Sequence, residues 1–178
     1  MTPNLLMPLL LVSLIIQPTP LQADARRGFP KELIGKWQVV GVRLDSTFTA
    51  RTYYEYDDKS LLGKTVTIQR TEARGNLPET LWCIGPNITE QRSTLDGLLA
   101  KTMARQEELE QSAASKRYML AADGGASVTV YWVGCGKGDF GPDVPFGPGG
   151  ENWIALLPGG NAATRWYDNT ILLLKRKR

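Results

Sequence analysis

The sequence predicts a mainly β protein: a small antiparallel β-barrel or sandwich with one amphipathic helix packed outside and one disulfide. Three observations lead there. Short segments rich in valine, isoleucine, threonine, tyrosine and tryptophan recur along the chain, several of them alternating apolar and polar. Groups of Gly, Pro, Asp and Asn punctuate them at intervals that suit tight turns. A helical apolar period is sustained in one place, Thr94 to Gln111.

The first strand is Gly35 to Leu44. With a period of two, Trp37, Val39 and Gly41 share one face and Val40, Val42 and Leu44 the other, which predicts a strand covered on both sides. Asp45-Ser46-Thr47 makes a turn, and the tyrosines at 53, 54 and 56 favour a strand over Phe48 to Tyr56. Lys64 to Arg70 alternates, with Val66 and Ile68 on one side. A polar stretch containing Gly75, Asn76 and Pro78 reaches Leu81-Trp82-Cys83. The helix follows, with Ser93 as N-cap and Leu95, Leu98, Leu99, Met103 and Leu109 as its apolar stripe, packed on the outside of a sheet.

β character returns at Ser127 to Gly134, where Val128, Val130 and Trp132 face one way. Gly136 to Gly150 is an irregular glycine- and proline-rich loop. Asn152 to Leu157 and Ala162 to Tyr167 read as a hairpin about Pro158–Asn161. Asp168-Asn169 suits a two-residue turn because both residues tolerate positive φ, and Thr170 to Arg176 is the last strand.

The 178 residues are long enough for one domain with a real core. Leu5 to Ile16 is an apolar run too short to span a bilayer, and Ala23-Asp24-Ala25 after it has the A-x-A form of a cleavage signal. We therefore expect a cleaved signal peptide over residues 1–25, a single barrel-like domain over 26–178, a periplasmic or secreted location, and no membrane span once the signal is removed. In an oxidising compartment the two cysteines, Cys83 and Cys135, are expected to pair. Net charge is +3, and no basic patch is interleaved with aromatics, so no nucleic-acid partner is expected. Lys175-Arg176-Lys177-Arg178 reads as a solvated end that keeps a terminal strand from pairing further.

Gly35-Lys36-Trp37, preceded by Leu33-Ile34, resembles the Gly-x-Trp that opens the first strand in the lipocalin family and its barrel relatives. The resemblance implies that Trp37 plugs the closed end of a barrel. It also implies a basic residue from the last strand over the indole, for which Lys175 and Arg176 are the candidates and Arg165 a third. Here the helix lies mid-chain rather than after the last strand, and no Thr-Asp-Tyr matches the family's second motif.

The chain contains no histidine, which removes Ser-His-Asp and Cys-His catalysis and histidine-ligated metals together. Neither a Walker-type loop nor a dinucleotide fingerprint is present, and no cofactor is expected. Asp139 and Asp143 are oxygen ligands without calcium-loop spacing, so no metal is expected. Asn87-Ile88-Thr89 is a formal glycosylation sequon.

The sequence thus favours a non-enzymatic binding protein whose barrel mouth holds a small apolar or amphipathic ligand. Trp37, Tyr54, Trp132, Trp153 and Trp166 are the candidate lining. The alternative is a protein-interaction module, such as an inhibitor of an exported hydrolase, that works through the 136–150 loop with Phe140 and Phe146 as exposed anchors. A carboxylate-based hydrolase stands third.

Overall fold

The computed structural model describes residues 25–47, 52–103, 113–142 and 152–177. All of the expected signal peptide except Ala25 falls outside them, as do Phe146, Asp143 and the second half of the expected helix. Among the described residues the strands are β1 (Ala25–Arg27), β2 (Gly35–Arg43), β3 (Thr65–Ile68), β4 (Glu72–Gly75), β5 (Trp82–Thr94), β6 (Ser127–Asp139), β7 (Asn152–Leu157), β8 (Asn161–Trp166) and β9 (Thr170–Arg176). Two helices, α1 (Leu95–Thr102) and α2 (Ala114–Arg117), lie between β5 and β6.

Strands β2 to β9 pair antiparallel, each with its neighbour in sequence, and β9 pairs back onto β2. The result is a closed eight-stranded barrel with no free edge along the ring. β1 adds a short outer pairing to β5 at Asn87–Thr89.

Two apolar clusters divide the molecule. Every strand of the ring contributes to the first, among them Trp37, Val39, Val42, Val66, Ile68, Ala73, Cys83, Ile88, Val133, Ile154, Trp166, Leu172 and Leu174. That cluster is the barrel interior, and eight strands enclose a space that side chains alone can fill. The second comprises Leu95, Leu98, Leu99 and Met103 of the α1 region against Val130, Trp132, Trp153, Ala155, Ala163 and Ile171 on the outer faces of β6 to β9. The expected helix outside a sheet is therefore observed, with Leu95, Leu98 and Leu99 buried as its stripe requires.

Several elements depart from the sequence reading. The helix N-cap is Thr94, whose hydroxyl accepts the Gly97 amide at 3.0 Å, and not Ser93. Val40 does not join a covered face. A register shift between Val39 and Gly41 makes it a β-bulge residue, which places Val42 inside with Trp37 and leaves Val40 47% exposed. The tyrosine-rich segment is no strand over residues 52–56: Tyr54 turns into the core while Tyr53 and Tyr56 stay exposed. β5 runs through Gly85-Pro86, and β6 extends five residues past Gly134. The Asp168-Asn169 turn forms as expected, with φ of 55° at both residues.

The Cys83–Cys135 disulfide is formed and ties the paired strands β5 and β6 together. A disulfide fits an oxidising, exported environment. Among the described residues no helix is long and apolar enough to cross a membrane.

Candidate functional site

The aromatic residues read as one ligand lining do not share a site. Trp37, Tyr54 and Trp166 lie in the barrel interior, whereas Trp132 and Trp153 lie outside it under α1. Each tryptophan of that set donates to a structural acceptor. Trp37 Nε1 donates to the Leu33 carbonyl at 2.8 Å and Trp132 Nε1 to Gln91 Oε1 at 2.9 Å. Trp153 Nε1 donates to Thr102 Oγ1 at 3.1 Å and Trp166 Nε1 to Glu79 Oε2 at 3.1 Å. Buried indoles satisfied in this way are core residues.

At one end of the barrel the Arg176 guanidinium lies 4.6 Å above the Trp37 ring and donates to the carbonyls of Ile34 and Glu32. Of the three basic candidates for that place, the structure selects Arg176. Its cation sits on the negative face of the indole while its N–H groups hold the chain entering β2.

The other end is closed by the segment before β3 and the β4–β5 loop. Glu79 reaches from that loop to accept from both Tyr54 Oη and Trp166 Nε1, and Leu61, Leu77 and Leu81 pack beneath. Tyr54 and Trp166 are 1% and 0% exposed. The mouth is thus occupied by the protein's own side chains over the described residues. Phe140 is not an exposed anchor either. It is buried, with its ring 5.9 Å from Phe29, because β6 continues to Asp139 and carries the next residue inward.

An open concavity lies instead on the outer wall. Val40, Leu173, Lys175, Asn161, Leu157 and Pro158 form one side of a groove of about 490 Å³, and Leu120, Ala121 and Ala122 form the other. Val40, next to the inward Val39, faces it from the outer side of β2, and the bulge there turns Val42 inward. Lys175 lies exposed at its rim, flanked across the strands by the neutral side chains of Gln38 and Asn161.

The far wall is pinned by two carboxylates. Asp96, in the first turn of α1, accepts from the amides of Ser115 at 2.7 Å and Ala113 at 3.3 Å. Asp45 accepts from the Arg117 guanidinium and from Thr47. Burial, the largest single influence, raises both pKa values. At Asp45 the bonds from Arg117 and Thr47 and the charge of Arg117 outweigh it, so the pKa lies below the usual carboxylate range. At Asp96 the bonds from Ser115 and Ala113, with the charge of Lys116, do the same. Met119 adopts a left-handed φ of 48°, and Leu120, whose amide donates to Ser115, follows it into the groove wall.

Comparison with protein-family models, with curated proteins and with solved structures finds no match to this chain.

The groove was invisible to sequence reasoning because its residues come from β2, β7, β8, β9 and the 120–122 segment, with no spacing in common. One faint signal existed: Val40 breaks the alternation that a strand with one buried face requires. Among the described residues no cluster of carboxylates, cysteines and histidines could hold a metal.

Proposed function

We propose that the protein is an exported, non-enzymatic binding protein, periplasmic or secreted, for a small amphipathic anion of the fatty-acid type. The ligand's chain lies in the outer groove and its carboxylate pairs with Lys175. The observation that carries this reading is the groove itself, a concavity of about 490 Å³ with aliphatic walls and one cation at its rim. Ligand sites commonly combine an apolar lining with a few polar groups that fix orientation. The groove also contrasts with the interior, where Trp37, Tyr54 and Trp166 take the space a ligand would need.

The lipocalin resemblance supports the reading in part. That resemblance implies a barrel with a basic residue of the last strand over Trp37, and Arg176 of β9 lies over that indole. The proposed seat is the wall and not the mouth, because the mouth is filled by Tyr54, Trp166 and Glu79.

Native mass spectrometry of the protein taken from the exported fraction tests the proposal. An adduct of fatty-acid mass that is lost on denaturation is the expected result. A bare chain that also fails to take up added oleate would contradict it.

A further inference from the structure

A second cleft, on the β1 side of the barrel, carries two arginines among its lining residues. Arg27 and Gly28 lead out of β1, Arg70 and Thr71 form the β3–β4 turn, and Gly85, Pro86 and Asn87 belong to β5. Together they line a cleft of about 530 Å³. Three of the backbone acceptors there are occupied: the Pro86 carbonyl accepts from Gly28 at 2.9 Å, Arg70 from Phe29 at 2.8 Å and Thr71 from Gly85 at 2.9 Å. The lining side chains able to donate are two guanidiniums, the Thr71 hydroxyl and the Asn87 amide.

No carboxylate lines the cleft. The acid nearest in sequence, Glu72, is paired with Arg74 at 3.2 Å. Neither Arg27 nor Arg70 has an ion pair among the described residues. The cleft is also rigidly built. Gly28 sits at φ +92°, and a Cβ there would lie 2.9 Å from the Arg70 carbonyl oxygen, so glycine is required where the two segments touch.

From this we infer that the cleft binds a phosphate monoester dianion between Arg27 and Arg70. The choice of anion follows from counting. Two planar forks, a hydroxyl and an amide offer more donors than one carboxylate can accept. A phosphate group supplies three acceptor oxygens and close to two negative charges against two guanidiniums. The same chemistry arises in a free phosphate compound and in the headgroup of a phosphatidate.

The test is a titration of the ¹⁵N-labelled full chain with inorganic phosphate at constant ionic strength, following the amides of Gly28, Thr71, Gly85 and Asn87. The parallel arm is sedimentation with phosphatidylcholine vesicles, with and without phosphatidic acid. Saturable shifts at those amides, weakened about tenfold by Arg27→Gln or by Arg70→Gln, are expected for a free phosphate compound. Retention by phosphatidate vesicles alone, lost in the same variants, identifies the headgroup as the source. The inference is overturned if neither probe binds, if both variants bind as the parent does, or if acetate shifts the amides as much as phosphate. Both arginines are exposed, so the variants are expected to fold, and their thermal unfolding checks this.

Discussion

Replacing Glu79 by alanine leaves two buried donors without an acceptor. Trp166 Nε1 loses its 3.1 Å bond and Tyr54 Oη loses its partner, while the two rings stay 0% and 1% exposed. An orphaned buried donor costs about 1–3 kcal/mol, so the pair amounts to about 2–6 kcal/mol, nearer the lower figure because Glu79 itself is only half-buried. For a chain of this size 3 kcal/mol corresponds to a fall of about 6–12 °C in the unfolding midpoint. Glu79→Gln keeps an acceptor oxygen for one of the two donors and is expected to lose less than half as much. Thermal unfolding followed by tryptophan fluorescence reads both, since Trp166 is among the reporters. A Glu79→Ala midpoint equal to that of the parent would refute the reasoning. It would mean that the mouth is not latched through this carboxylate.

Three further perturbations address other parts of the frame. Reducing Cys83–Cys135, which closes a sequence separation of 52, is expected to lower stability by about 3–4 kcal/mol, measured as a shift in urea midpoint with and without reductant. Arg176→Met removes the cation over Trp37 and two donors to the Glu32 and Ile34 carbonyls. A loss of about 1–2 kcal/mol is expected by chemical denaturation, and Arg176→Lys should recover only part because an ammonium lacks the fork. Asp45, Asp58 and Asp96 all titrate below the usual carboxylate value in the folded protein, Asp58 through bonds from Ser60 and Glu55. Their depressed pKa values stabilise the fold fully above about pH 4, and that contribution disappears as pH falls through the folded-state values. Thermal midpoints should therefore drop steeply below pH 4, and less steeply in Asp45→Asn.

The regular half of the barrel was legible in the sequence because its strands carry local signals. β3 and β6 alternate, β7 and β8 flank a turn with Pro158-Gly159-Gly160, and β8 and β9 meet at Asp168-Asn169. β4 and β5 were not legible, for identifiable reasons. β4 has a single inward residue, Ala73, in four. β5 carries Gly85 and Pro86, which read as breakers. They are tolerated because β5 leaves β4 after Ile84 and takes up β1 at Asn87, and Gly85 absorbs the change with φ +62°. At Tyr53–Tyr56, tertiary packing overrode strand propensity, since Tyr54 fills the mouth. The aromatic residues were legible as important but not as to their role. Which face of the sheet each tryptophan takes decides whether it lines the interior or the α1 interface, and composition does not contain that. The groove and the arginine cleft are assembled from distant parts of the chain, and Val40 was the one faint signal of the former.

The proposed seat of a fatty-acid-type anion is the outer groove, with its carboxylate against Lys175. The most direct measurement is an equilibrium titration of the protein with a dansyl-labelled fatty acid, repeated on Ala122→Trp, which fills the groove, and Lys175→Glu, which reverses the rim charge. Lys175 is exposed and Ala122 packs at the margin of the apolar cluster under α1, so thermal unfolding of both variants checks that the fold is kept. One saturable site is expected in the parent, no binding in Ala122→Trp, and weaker binding in Lys175→Glu that a neutral alcohol analogue does not share. Undiminished binding in both variants would place the ligand elsewhere and contradict the account.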